Sequence, residues 1–264
     1  MASSPPSRSK NSLLETIQYF AKYDYPLTSE ELWFWQHFTK ISKFKIRNLN
    51  SNLKFKISNW KLRKRREIIS KGKWLIAHRV GESLQKIPFI EAIFVTGSLA
   101  MNNCKSDADI DLMLITSPNS LWLTRLLVYL QIHSFRRHPH VTSAPDRVCD
   151  NLYLDIKNLE LRIRNLYTAH EILQAKCIFD RSNIHQQFLT ANSWVKSYLP
   201  IAYSESIKKF NNLDLTSNFK FQISNLLFPI NFLLFILQYL YMKPKMTNEK
   251  VSLHSAFFHP HLPS

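Results

Sequence analysis

The chain has 264 residues, and 35 Lys and Arg against 19 Asp and Glu give it a formal net charge of +16. With 45% hydrophobic and 13% aromatic residues it can fill the core of one large domain or two small ones, which excludes a chain disordered throughout and a collagen-like or mucin-like one. Cys104, Cys149 and Cys177 are far apart and form no Cys-x-x-Cys pair; a disulfide framework and a zinc ribbon are excluded, and a reducing cytoplasm is expected.

Residues 1–10 are polar and rich in Pro and Ser, which reads as a tail and not a signal peptide. A Ser-x-x-Glu capping box at Ser12 and Glu15, with Leu13, Ile17 and Phe20 at helical spacing, predicts a helix over 13–22. Tyr25-Pro26 ends it, and Thr28-Ser29-Glu30-Glu31 opens a second helix carrying Leu32, Trp33, Trp35 and Phe38. Together they predict a helical, winged-helix-like module over 1–40. The aromatic stripe of Trp33, Phe34, Trp35 and Phe38 is read as core and not as a base-stacking platform.

A basic insert or linker follows over 41–66. Thirteen Lys and Arg lie between Lys40 and Lys73 against one acid, Glu67, so +12 of the +16 is concentrated there. Lys43-Phe44-Lys45-Ile46 is echoed by Lys54-Phe55-Lys56-Ile57 and again by Lys220-Phe221-Gln222-Ile223, at spacings that fit no solenoid. Either this run is a solvated insert or it grips the phosphates of a nucleic acid.

The pattern beyond predicts a helix over 67–85, a strand over 89–95 ending at Thr96-Gly97-Ser98, and a second strand over 110–116. A helix then starts at Ser117-Pro118 and runs through Leu121, Trp122 and Tyr129 toward Arg136 and Arg137. Runs over 147–156 and 159–164 alternate like a hairpin, and Thr168-Ala169-His170-Glu171 has the form of a third capping box. His133, His138 and His140 are read as part of a basic loop, and His170 as a capping or packing residue. His254 and His259 have no identifiable partner. The apolar stretch over 226–242 contains Pro229, Asn231 and Gln238 and is shorter than the roughly 20 residues that cross a bilayer, so a buried helix and no stable membrane span are expected. The order of elements predicts an α+β protein: a small mixed sheet with helices over 67–164, preceded by the helical module and followed by a helical region over 165–264.

The chemistry concentrates around Gly97, one of only three glycines. It follows a buried-type strand and precedes Ser98, where a turn presents backbone N–H groups to an anion. Asp109 and Asp111 open the next strand and, by its alternation, point to one side, with Asp107 in line before them. Two neighbouring carboxylates call for a positive partner, and Mg²⁺ is commonly held by one or two carboxylates together with substrate phosphates. Paired ions can activate an attacking hydroxyl and stabilise a leaving pyrophosphate.

Gly97-Ser98, ten intervening residues and Asp109-x-Asp111 between two hydrophobic strands resemble the signature of the DNA polymerase beta superfamily of nucleotidyltransferases. Further segments, among them Asp24-Tyr25-Pro26-Leu27-Thr28, Leu121-Trp122-Leu123-Thr124-Arg125 and Ala256-Phe257-Phe258-His259-Pro260, resemble a bacterial family known only as nucleotidyltransferase-domain proteins. The resemblance implies a nucleotidyltransferase-type sheet and transfer of a nucleoside monophosphate from an NTP to an acceptor hydroxyl, with release of pyrophosphate. It implies that Gly97 and Ser98 hold the nucleotide's phosphates and that Asp109 and Asp111 bind two Mg²⁺ ions. The Ser that usually precedes the first metal-binding Asp is Ala108 here. The family's third, catalytic carboxylate is assigned to Asp150, with Asp155 as its rival on the opposite strand face; Asn151 lies between them, and if it holds that position the base is missing. Arg125 is either a triphosphate contact or an exposed helix charge. Two other readings stand beside this one: a non-catalytic nucleic-acid-binding or regulatory protein with a vestigial fold, and a protein that adheres to anionic lipid through its charge and the apolar 226–242 helix.

Overall fold

Two runs of β-branched and aromatic residues build the middle of the structure, a computed structural model that describes residues 11–50, 60–137, 144–210, 224–247 and 249–258. The strands β1 (Ile90–Val95) and β2 (Ile110–Thr116) pair antiparallel, β2 pairs parallel with β3 (Val148–Asp155), and β4 (Lys176–Asp180) lies antiparallel on the far side of β1. Two short strands, β5 (Lys250–Val251) and β6 (Ser255–Phe257), complete the order β4-β1-β2-β3-β6-β5. The protein is therefore α+β, with ten α-helices around a six-stranded mixed sheet among the described residues.

Buried on both faces, the central strands read as nearly continuous apolar runs. Ala92, Phe94, Met113 and Ile115 point to one face, which is covered by α1 (Asn11–Ala21), α2 (Ser29–Phe34), α7 (Leu166–Gln174), α8 (Ile184–Ala191) and α9 (Pro200–Lys208). Ile93, Val95, Leu112 and Leu114 point to the other, under α4 (Trp60–Leu84), α6 (Leu121–Ile132) and α10 (Ser224–Met242). Two short helices remain, α3 (Lys43–Asn50) and α5 (Gly97–Ala100).

The amino-terminal helices belong to the first layer. His37 Nε2 lies 3.0 Å from His170 Nε2, Tyr19 stacks on the His170 ring at 4.2 Å, and the Phe38 N–H donates to the Tyr198 carbonyl. His170 is thus a packing residue, and within the aromatic stripe Trp35 enters the core while Phe38 is left at the surface. The winged-helix expectation fails, because α2 leads into α3 with no strand among the described residues up to 50. The Thr28 capping box forms as expected, whereas Ser12 donates its hydroxyl to the His37 carbonyl and the cap of α7 is Asn165, not Thr168.

Three element readings need correction. The helix expected to start at Glu67 starts at Trp60, because the positions facing the sheet in its first turns are polar: Arg63, Arg66, Ser70 and Lys73 are buried there. Arg63 reaches Glu31 at 2.7 Å and the Pro26 carbonyl, and Arg66 reaches the Tyr23 carbonyl, Asp24 and Asn103. Part of the basic run is thus internal, and residues 54–59, with the second copy of its repeat, lie outside the described residues, as do residues 220–223, His138, His140 and His259. Secondly, 159–164 is no strand; β3 takes β6 as its antiparallel partner, and the unanticipated β4 extends the sheet beyond β1. Thirdly, α10 is not buried: Leu226, Leu233 and Leu240 are more than half exposed.

Candidate metal and nucleotide site

The site forms where the C-terminal end of β1 meets the N-terminal ends of β2 and β3. β1 leaves the sheet at Thr96, whose N–H still donates to the Asp111 carbonyl at 3.0 Å. The chain then turns through Gly97 at φ +62°, so close to β2 that a Cβ there would overlap the Asp111 carboxylate. Only glycine combines that positive φ with that approach. Ser98 follows, its Oγ 3.4 Å from Cys104 Sγ, and its carbonyl accepts from the Asn103 N–H.

Asp109 and Asp111 come together as the alternation of β2 requires, and Cys149 joins them: one ligand-type atom from each lies within 4.8 Å of the others. Cys149 arrives through register, because β3 runs parallel to β2 with Cys149 opposite Asp111. Asp111 Oδ1 accepts from Asn151 Nδ2 at 2.8 Å, and Asp109 Oδ2 accepts from Arg137 Nη1 at 2.6 Å. Burial disfavours the charged guanidinium, yet its bond to Asp109 holds Arg137 above the usual arginine value. Burial, reinforced by the negative charge of Asp111 and Asp109, pushes the Cys149 thiol up, so at neutral pH it is a neutral SH.

The loop entering β2 is fastened from beneath. Lys73, only 2% exposed, donates to the Ala108 carbonyl at 2.6 Å and to Asp146 at 2.8 Å. It thereby ties the segment ahead of Asp109 to the one ahead of Cys149.

Two residues expected at the site are elsewhere. β3 shifts register between its pairings of Asp150 with Leu112 and of Leu152 with Met113, so Asn151 is an extra residue, a β-bulge. The bulge places Asn151 beside Asp111 and leaves Asp150 on the face of α6, where Arg136 and the Tyr153 hydroxyl, at 2.8 Å, bond its carboxylate. Asp155 does not replace it; at the opposite end of β3 it accepts from the backbone N–H groups of Asn119 and Lys157 and faces His254. Asp150 and Asp155 were expected on opposite strand faces with at most one of them toward the pair; both carboxylates are bonded elsewhere, and Asn151 is the β3 side chain that bonds Asp111. Arg125 lies on the α6 face too, bonded to Gln238 and stacked over Phe258 at 4.5 Å, and burial lowers its pKa. The guanidinium beside the carboxylates is that of Arg137. Arg137, Cys149 and Lys73 were missed: only the parallel register of β2 and β3 brings the first two in, and Lys73 sat within a run read as a solvated charge.

A cleft of about 1410 Å³ opens from Thr96 and Asn151 and passes Tyr167 and Glu171 toward Lys157, Arg162 and Arg164. Lys157 and Arg162 are exposed at its rim. The donor set fits a hard cation, since two carboxylates supply oxygen ligands and phosphate oxygens can complete them. The neutral Cys149 thiol adds no hard ligand. Comparison with protein-family models, with curated proteins and with solved structures finds no match.

Proposed function

We propose that the protein is a magnesium-dependent nucleotidyltransferase of the DNA polymerase beta type. In this reading it transfers a nucleoside monophosphate from an NTP to an acceptor hydroxyl and releases pyrophosphate. The observation that carries the reading is the convergence of Asp109, Asp111 and the Gly97 turn, next to Thr96 and Asn151, which line the cleft.

Asp109 and Asp111 would hold the metal, which when bound would neutralise phosphate charge and polarise the reacting phosphorus. The backbone from Thr96 to Ser98 would face the phosphates, and Gly97 permits their close approach because it has no side chain. Arg137, bonded to Asp109, would offer its guanidinium to a phosphate oxygen. Lys157 and Arg162 would attract the anionic substrate to the cleft. The acceptor oxygen attacks the α-phosphorus, the bond to pyrophosphate breaks, and the acceptor's proton passes to water, because Asn151 cannot take it.

The amide at Asn151 is also the specific observation behind a second reading, in which the fold binds a metal–nucleotide complex without turning it over. Isothermal titration of the four NTPs with and without Mg²⁺, paired with pyrophosphate release, separates the two. Magnesium-dependent binding that vanishes in the Asp109→Asn/Asp111→Asn variant supports the shared site, and pyrophosphate release with an added acceptor supports transfer. Absence of binding in the intact protein would overturn both readings and favour one in which nucleic acid binds with a steep salt dependence and no need for magnesium.

A further inference from the structure

The helix α10 is built the wrong way round for a helix of a water-soluble domain. Its two polar mid-helix residues face inward: Asn231 Oδ1 accepts from the Trp122 and Leu123 N–H groups at 2.7 and 3.3 Å, capping α6, and Gln238 donates to the Trp122 carbonyl and accepts from Arg125. Leu226, Ile230, Leu233, Leu237 and Leu240 recur every three or four residues along the opposite face and are each half or more exposed. No Asp, Glu, Lys or Arg occurs from Ser224 to Met242, whereas such an apolar stripe normally points at a core. By length and composition Leu226–Lys245 is the one helix among the described residues that could cross a membrane. The bonds of Asn231 and Gln238 to α6 instead hold it lengthwise against the domain.

Charge decides what covers this face. A second copy would bring another +16 and offers no charged residue along the helix to set a pairing register. An anionic lipid surface is complementary. The helix ends in Tyr239 and Tyr241, and Lys243 and Lys245 follow in the next turn, with Lys245 Nζ 3.9 Å from the Tyr241 ring centre; tyrosine with lysine at the end of an apolar helix suits the headgroup region. On α4, packed on the same side of the sheet, Lys61, Lys64, Arg65 and Lys71 are exposed around Ile68 and Leu75, each about 70% exposed.

We infer that α10 lies flat in the interface of an anionic membrane, its leucine stripe among the acyl chains and Lys243 and Lys245 at the headgroups, so that the protein works at a lipid surface. The inference stands independently of the nucleotidyltransferase reading. The test is flotation of the full chain with phosphatidylcholine vesicles, with and without phosphatidylglycerol, at low and high salt. Binding is expected to the anionic vesicles and to be at least about tenfold weaker on neutral ones. Leu233→Ser/Leu237→Ser should abolish it, Lys243→Gln/Lys245→Gln should weaken it about thirtyfold, and Asp109→Asn/Asp111→Asn should leave it unchanged. Hydrogen exchange of the unmodified protein gives a readout that needs no variant: anionic vesicles should slow exchange over 224–242. No binding to anionic vesicles would overturn the inference. So would a concentration-dependent dimer, seen by light scattering and lost in Leu233→Ser/Leu237→Ser, because a second copy would then be the occupant.

Discussion

At Asn151 a single amide lies beside the Asp109 and Asp111 pair, where the proposed metal site would take a third carboxylate. It neutralises nothing, but it donates to Asp111 at 2.8 Å and so holds one carboxylate of the pair without adding charge. Asn151→Asp places a third negative group beside Asp109 and Asp111, which should cost roughly 1–3 kcal/mol in magnesium-free buffer and be recovered on adding Mg²⁺. Differential scanning fluorimetry should therefore show a larger magnesium-induced rise in melting temperature for this variant than for the unmodified protein; an equal rise would mean that the carboxylates hold no cation. Gly97 gives the complementary case. Gly97→Ala forces a non-glycine residue to φ +62° and against Asp111, a strain of about 1–3 kcal/mol, and should abolish magnesium–NTP binding. Gly72→Ala, in a helix interior with no neighbour within 4 Å of the new Cβ, should instead raise stability by about 0.5–1 kcal/mol. The pair Asp109 and Asp111 and the turn at Gly97 were legible because period-two alternation and a lone glycine after a strand are local signals. Asn151 was legible only as the alternative to Asp150, because a bulge inverts the side-chain alternation and is invisible without the partner strand.

At the scale of elements, α4 shows how a helix can carry buried charge. Its inward positions 63, 66, 70 and 73 are polar before they become apolar at 77, 80 and 84, and Lys73 uses that inward position to fasten the loop before Asp109. Lys73→Met keeps the volume but leaves the Ala108 carbonyl without its donor and Asp146 without its cation. An acceptor left without its donor costs about 1–3 kcal/mol, and Asp146, 58% exposed, adds little on losing its cation, so a loss of about 1–3 kcal/mol is expected in urea unfolding. The exposed neighbour substitution Lys64→Met should change stability by less than about 0.5 kcal/mol. Lys73→Met should also weaken magnesium–NTP binding, since the loop that aims Asp109 loses its tie. The strands β1 and β2 and the helices α2 and α6 were readable because hydrophobic period and caps are written locally. The start of α4 was not, since an inward face of Arg, Ser and Lys looks like a solvated one. β4 was hidden for a related reason: at the sheet edge its five residues are only partly covered, and its apolar run, Cys177-Ile178-Phe179, is too short to mark a strand by itself.

For the molecule as a whole, stability should depend on pH through its buried imidazoles. His37 and His170 face each other between the amino-terminal helices and α7, and His185 packs edge-on against Phe94 and Phe210. Burial lowers His37 and His185 to about 4, and burial together with the neighbouring His37 takes His170 well below the ordinary value. Each folded-state value thus lies under that of the unfolded chain, near 6.5. Below pH ~6.5 the unfolded chain binds protons that the fold refuses, so the contribution is fully present above that pH and is lost as pH falls from about 6.5 toward about 4. Each group removes about 1 kcal/mol between pH 6.5 and 5.5, approaching about 1.4 kcal/mol per unit below that, or about 3 kcal/mol over that first unit for the three together. Glu91, raised by burial, acts in the opposite sense, but only near and below the carboxylate range of about 4.3. Urea midpoints at pH 7.5, 6.5 and 5.5 should therefore fall slightly over the first interval and about three times as steeply over the second. His185→Phe, which keeps an aromatic ring between Phe94 and Phe210, should reduce that acid-side slope by about a third. A slope unchanged by His185→Phe would mean that this imidazole takes up its proton equally in the folded and unfolded states, and a flat profile down to pH 5.5 would mean the same for all three.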